Sequence, residues 1–132
     1  MSLLARDRAA LLIVDVQEAF RPYASFSTVT QACARLVQAA RVLGVPMLVS
    51  EQYPQGLGHT APELGLQGEP RISKTVFSAV RADGFDLAGR DQVIVGGIET
   101  HVCVSQTVHD QKRGAIASEQ AHRAVITPVR SR

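Results

Sequence analysis

The chain has no tryptophan, few aromatic residues of any kind, and only two cysteines among its 132 residues. The two cysteines, Cys33 and Cys103, are too few for the disulfide framework of a small secreted protein. No uninterrupted apolar run approaches the roughly 18 residues that a membrane-spanning helix needs. Residues 1–8 carry their charges in the wrong order for a signal peptide. We therefore predict a cytoplasmic protein with no membrane partner.

Lysine is also scarce, because twelve of the fourteen basic residues are arginines and only Lys74 and Lys112 are lysines. An ammonium group has a tunable pKa that a guanidinium lacks, so Lys74, directly after a strand-like segment, suggests a chemical role. The net charge is +2, and residues 111–132 hold five basic residues and one acidic residue. This excess, without interleaved aromatic residues, is weak support for a nucleic-acid surface. We predict no nucleic-acid partner.

The order of the apolar segments predicts the fold class. The length predicts one domain over residues 1–132. Apolar residues at steps of three and four predict a helix over 28–43, with Thr28 and Gln31 as a capping box and Gly44 as its stop. A short helix and a loop are expected over 76–89. Strands alternating with helices or loops predict an open, mostly parallel α/β sheet. Its strands are expected at 9–16, 45–50, 70–74 and 92–95.

Three chemically capable side chains lie at or just past the carboxyl ends of these strands. They are Asp15, Lys74 and Cys103. Ligands of open α/β sheets bind at this edge, so we expect the three to meet there. Cys103 follows an apolar strand and two glycines, at the start of an expected helix, where the helix dipole stabilises a thiolate.

Together these residues predict a thiol hydrolase that forms a covalent intermediate. Asp15 would accept the proton of Cys103, and Lys74 would hold the thiolate. Backbone N–H groups of the turn before Cys103 would bind an oxyanion. Structural alternatives remain open: Asp15 could cap a neighbouring turn, Lys74 could be its ion-pair partner, and Cys33 falls on the apolar face of the helix, where packing explains it.

The motifs resemble those of the isochorismatase-like cysteine hydrolase family. Residues 12–17, followed by Phe20, resemble its opening strand and catalytic aspartate. Lys74, followed by Phe77 and Ser78, and the turn at 96–104 resemble its lysine segment and nucleophile turn. The segment at 51–58 resembles a narrower branch, the isochorismatase-domain-containing proteins. The resemblance covers about residues 8–110.

This resemblance implies a Rossmann-like sheet with helices on both faces and a hydrolase, for which we predict no cofactor. It would cleave a small amide-type C–N or related bond with the triad Asp15, Lys74 and Cys103. A cis peptide between Ile98 and Glu99 would aim the N–H groups of Glu99 and Cys103 into an oxyanion hole. Many family members are oligomers, so we expect a homo-oligomer.

Four further residues are candidates for binding a small-molecule substrate. Phe20, Tyr53 and Phe77 follow three strands and could wall an apolar pocket around a small acyl group. They could equally be ordinary core residues. His101, two residues before Cys103, could contact the substrate or simply be a polar residue of the turn.

The sequence departs from the family pattern in two places. Nicotinamidase-type relatives carry an Asp/His metal cluster after the second strand, where this chain has residues 51–53 with His59 alone. We therefore predict no metal site and disfavour nicotinamide hydrolysis. Residues 111–132 are shorter than the family's C-terminal part, so we expect its strand and helix to be partly missing. The stretch 124–127 would then pair beside the fourth strand or with another chain.

Two rival functions follow from the same residues. The chain could be a truncated, non-catalytic family member that acts as an oligomeric binding or scaffold protein. It could also be a redox protein whose Cys103 reacts with peroxides. The second rival lacks a nearby resolving cysteine, because Cys33 is expected to be buried on its helix.

Overall fold

The computed structural model describes residues 4–74 and 89–97 with their side chains, and the backbone of residues 125–128. Five strands form one sheet in the order β3-β2-β1-β4-β5. The first four run parallel, and β5 runs antiparallel to β4. This confirms the prediction of an open, mostly parallel Rossmann-like α/β sheet. The elements are β1 (Ala9–Val14), a 3-10 turn (Glu18–Phe20), α1 (Phe26–Leu43), β2 (Met47–Gln52), α2 (Pro54–Leu57), a 3-10 turn (Pro62–Leu64), β3 (Arg71–Lys74), β4 (Gln92–Gly97) and β5 (Val125–Pro128).

The central strand β1 is buried along its whole length. It pairs with β2 on one side and β4 on the other, so Leu12 lies opposite both Leu48 and Val95. A strand enclosed on every side needs a continuous apolar run, which is what the sequence supplies. The prediction that this strand reaches residue 16 is wrong. It ends at Val14 because Asp15 adopts a left-handed backbone with φ of 56°.

The helix α1 packs its apolar stripe against β1 and β4. Its predicted stop is confirmed: Gly44 has φ of 70° and its N–H bonds back to the carbonyls of Ala40 and Arg41. The predicted capping box is wrong, because the helix begins at Phe26 and Thr28 lies inside its first turn. No helix among the described residues is long and apolar enough to cross a membrane.

The helix α1 packs closely against the sheet at Gly96 of β4. A Cβ at this position would lie 3.2 Å from Sγ of Cys33, 3.5 Å from Cδ1 of Leu36 and 3.7 Å from Cδ1 of Ile13. Glycine therefore lets the helix and strand approach each other. Cys33 is buried in this contact, as predicted, and burial raises the pKa of its thiol to about 12.

We expect Gly96→Val to lower the free energy of unfolding by about 1–3 kcal/mol, because extra methyl groups overpack this contact. Urea denaturation measures the change. The loss should be smaller in a Cys33→Ala background, where Sγ is absent. Gly68→Val is the matched control, since a Cβ at Gly68 has nothing within 4 Å. An equal loss in both backgrounds would contradict the packing explanation.

The strand β5 lies beside β4 at the sheet edge. Ile126 is opposite Ile94, and Thr127 is opposite Val93. Of the two alternatives for the stretch 124–127, pairing beside the fourth strand is therefore the one observed. Three predicted features lie outside the described residues: the helix and loop over 76–89, apart from Gly89, the helix expected to begin at Cys103, and the Ile98–Glu99 peptide.

Candidate functional site

Asp15 and Lys74 form a buried ion pair at the carboxyl edge of the sheet. Asp15 directly follows β1 and Lys74 ends β3, with β2 between them. Nζ of Lys74 donates to Oδ2 of Asp15 at 2.7 Å, and both side chains are fully buried. The structure thus brings these two predicted site residues together. Cys103 lies outside the described residues.

Two polar side chains of β2 bind this pair from the strand between them. Ser50 donates its hydroxyl to Oδ1 of Asp15 at 3.0 Å, and Oε1 of Gln52 accepts from Nζ of Lys74 at 2.9 Å. Residues two apart on a strand share a face, which is why both side chains reach the pair. We call Asp15, Ser50, Gln52 and Lys74 the polar cluster.

Sequence reasoning missed Ser50 and Gln52. The available signal was the run of three polar residues, 50–52, that follows an apolar segment at the binding edge, because the first and third of them share one face of the strand. Removing a charge from water is costly unless it is paired and hydrogen-bonded. The polar cluster meets that requirement, because each oxygen of Asp15 has a donor and Lys74 has acceptors of two kinds.

A second buried side chain, Gln17, joins the backbone segments around the polar cluster. Its Nε2 donates to the carbonyls of Gln52 at 2.8 Å and Gly58 at 2.7 Å. Its Oε1 accepts from the N–H of Gln52 at 2.8 Å. We call these three bonds the Gln17 clamp. They fix the end of β2 and the loop after it to the segment that follows β1.

The side chain of Glu51, between Ser50 and Gln52 on β2, anchors the same loop by different contacts. Its Oε2 accepts from the N–H and hydroxyl of Thr60 at 2.6 and 2.7 Å, and Oε1 lies 3.1 Å from Nδ1 of His59. Burial acts to raise the pKa of Glu51, but the bonds from Thr60 and His59 outweigh it and lower the pKa. The charged carboxylate is therefore the form that holds the loop.

His59 has a mostly exposed ring, with 76% of its side chain accessible. Its contact with Glu51 brings together two side chains that carry metal-binding atom types. Within residues 4–74 and 89–97, however, no group of three or more His, Cys, Asp or Glu residues is arranged to hold a metal ion.

The aromatic substrate-binding candidates differ in exposure. Tyr53 is 54% exposed and has a left-handed backbone with φ of 38°. Its N–H donates to the carbonyl of Lys74 at 2.9 Å, which places its backbone directly beside the polar cluster. Phe20 is partly buried against the core and contacts Tyr23, with ring centroids 5.6 Å apart. Phe77 and His101 lie outside the described residues.

A comparison with known protein families identifies the family of this chain. The family described as "Isochorismatase domain" matches residues 9–113, which is well over half of the chain. The chain belongs to the isochorismatase family. The matched range includes the polar cluster and the Gln17 clamp, so both are part of the isochorismatase domain of this protein.

Known isochorismatase proteins and related structures extend the comparison. Isochorismatase domain-containing protein 2A of Mus musculus is 46% identical over 108 residues, covering 79% of this chain and 52% of that protein. The chain spans about half the length of the curated relatives it matches. The structure of the MAR1 ribonuclease from Caenorhabditis elegans is 38% identical with a TM-score of 0.72, over 83% of this chain and 59% of that chain.

A similar structure with lower sequence identity is that of the YcaC gene product of Escherichia coli, an octameric hydrolase of unknown specificity. It is 26% identical with a TM-score of 0.63, over 79% of this chain and 56% of that chain. The octamer is a property of YcaC. Its fold nevertheless covers most of the isochorismatase domain described above.

Proposed function

We propose that the protein is a metal-independent cysteine hydrolase that cleaves a small amide-type or related bond. Asp15 is the general base, Lys74 the electrostatic partner and Cys103 the nucleophile. The observation that carries the proposal is the buried Asp15–Lys74 pair at the carboxyl edge of the sheet. A parallel α/β sheet binds its ligands at this edge. Family membership supports a hydrolase, and the order of the three motifs supports the choice of residues.

The proposed reaction has two stages. In the first, the carboxylate of Asp15 accepts the thiol proton, and the thiolate of Cys103 attacks the carbonyl carbon of the substrate. The N–H groups of Glu99 and Cys103 would stabilise the oxyanion. The C–N bond then breaks, and Asp15 returns the proton to the leaving nitrogen. In the second stage, Asp15 takes a proton from water and the resulting hydroxide attacks the thioester carbonyl. The C–S bond then breaks to release the acid, and Asp15 returns the proton to the sulfur of Cys103.

The contacts of Asp15 support this role. Ser50 and Lys74 hold its two oxygens in place, so the carboxylate is oriented before a substrate arrives. Tyr53 is an exposed aromatic candidate whose backbone bonds to that of Lys74, and we propose that it contacts the substrate together with Phe77 and His101. Phe20 would support this wall from the core side. The octameric YcaC structure supports the proposal of a homo-oligomer.

The proposed nucleophile is tested by measuring the alkylation rate of Cys103 with iodoacetamide against pH. Cys33 should stay unlabelled, because its thiol is buried and its pKa is raised to about 12. We expect the rate for Cys103 to report a thiol pKa well below the ordinary value of about 8.5. In the double variant Asp15→Asn/Lys74→Met, the pKa should return toward that value.

The control for this experiment is Lys112→Met, which removes the chain's other lysine and should leave the pKa of Cys103 unchanged. Labelled peptides identified by mass spectrometry assign the rate to Cys103. An ordinary thiol pKa in the parent protein would contradict the proposed nucleophile. It would then favour a binding or scaffold role.

A second candidate function is RNA hydrolysis, favoured by the 38% identity to the MAR1 ribonuclease structure. It is tested by incubating the purified protein with single-stranded RNA, alongside the double variant Asp15→Asn/Lys74→Met, which leaves no unpaired buried charge at this position. RNA cleavage lost in this double variant, without hydrolysis of any small amide by the parent protein, would favour the ribonuclease. Amide hydrolysis lost in Cys103→Ala, without RNA cleavage, would favour the cysteine hydrolase.

A further inference from the structure

Gln52 contacts the ammonium group of Lys74 directly. Its Oε1 accepts from Nζ at 2.9 Å, while Oδ2 of Asp15 accepts from the same Nζ at 2.7 Å. An ammonium group has three N–H donors that rotate together about one bond. Two acceptors at fixed positions therefore determine where each donor points. One acceptor is charged and the other is neutral, so Gln52 orients Lys74 without adding a second negative charge.

The backbone of Gln52 is itself held by hydrogen bonds. The Gln17 clamp binds both the N–H and the carbonyl of Gln52 through a side chain that is fully buried. The Gln52 side chain therefore starts from a backbone held by two bonds of 2.8 Å. A chain of contacts thus runs from Gln17 through Gln52 to the Lys74 ammonium, and it crosses from the segment after β1 to β3.

Other charged groups near Lys74 have separate partners. The carboxylate of Glu51 accepts from Thr60 and lies 3.6 Å from Arg71, away from the polar cluster. Among the described residues, Asp15 is the carboxylate bonded to Lys74. The ammonium is thus bound by one carboxylate from the residue after β1 and one amide from β2.

We propose that Gln52 is a positioning residue that fixes the Lys74 ammonium beside Asp15. The effect of this positioning on reactivity rests on the proposed function, because the fixed ammonium would hold the Cys103 thiolate at a constant distance. The orientation of Lys74 by Gln52 does not depend on the proposed function. The two parts are therefore tested by separate measurements.

The first measurement follows the exchange of the Lys74 ammonium protons with water by ¹⁵N NMR of selectively labelled lysine. Gln52→Met has nearly the same volume but no acceptor, and it should speed the exchange by about tenfold, as for the loss of a hydrogen bond to a charged group. Gln52→Glu keeps an oxygen acceptor, and its exchange should stay within about threefold of the parent. Gln38→Met, at an exposed position of α1, is the control and should change nothing.

The second measurement is the pH profile of Cys103 alkylation in the same variants. If the parent shows a lowered thiol pKa, Gln52→Met should raise it by about one unit, so the midpoint of the alkylation rate against pH should move upward by the same amount. Unchanged Lys74 exchange in Gln52→Met would overturn the positioning role. Faster exchange with an unchanged, lowered thiol pKa would overturn its link to reactivity. An ordinary thiol pKa in the parent would instead overturn the proposed function, and the exchange rates would still decide the role of Gln52.

Discussion

Replacing Lys74 with methionine should lower the free energy of unfolding by about 3–5 kcal/mol, the usual result of breaking a buried ion pair. The loss is large because Asp15 would remain fully buried with a carboxylate that has lost its positive partner. Among the described side chains, Ser50 would then be the one that still donates to that carboxylate. Urea denaturation followed by circular dichroism measures the change. Lys112→Met is the matched control.

The double variant Asp15→Asn/Lys74→Met separates stability from chemistry. It leaves no buried charge at this position, so it should recover most of the stability lost in Lys74→Met. Hydrolysis should nevertheless stay absent, because the variant has neither the proposed base nor the ammonium. A double variant that is as unstable as Lys74→Met would show that the ion pair is not the source of the loss. Full hydrolysis in that variant would contradict the proposed roles of Asp15 and Lys74.

Replacing Gln17 with methionine should lower the free energy of unfolding by about 2–4 kcal/mol, because an unsatisfied buried polar group costs about 1–3 kcal/mol. Three backbone groups lose their partner: the N–H and carbonyl of Gln52 and the carbonyl of Gly58. Gln52 and Gly58 are only partly buried, so water compensates part of the loss. Urea denaturation gives the total, and hydrogen exchange should speed up at the Gln52 amide.

Gln17→Glu provides a sharper comparison. It keeps an oxygen for the N–H of Gln52 but places a second oxygen against the carbonyls of Gln52 and Gly58, so it should be no more stable than Gln17→Met. Gln38→Met is the control at an exposed glutamine of α1. A stable Gln17→Met protein with unchanged exchange at Gln52 would show that the clamp does not hold the loop.

The predictions from sequence that succeeded concern local pattern and chain topology. The apolar run that forms β1 and the three- and four-residue period of α1 can be read directly, because burial of a strand or a helix face requires them. The stop at Gly44 follows from the left-handed conformation that glycine adopts easily. The meeting of Asp15 and Lys74 also follows from topology, because parallel strands end at one edge.

The errors concern contacts that local sequence does not encode. The predicted capping box at Thr28 is wrong because α1 begins two residues earlier, at Phe26. The chain enters this helix from a 3-10 turn, whose partly buried Phe20 contacts the exposed Tyr23. The strand β1 ended early because Asp15 turns into a left-handed conformation. Its N–H donates to the carbonyl of Ser50 at 3.1 Å, a contact between residues 35 positions apart.

The sequence by itself thus determined the α/β sheet and the edge at which Asp15 and Lys74 lie, since period, composition and strand order are local or topological properties. Only the tertiary structure decided what surrounds the pair. Ser50 and Gln52 reach it because β2 lies between β1 and β3, and Gln17 reaches Gln52 across 35 residues of chain. Such contacts depend on the register between strands, which no single segment of the sequence contains.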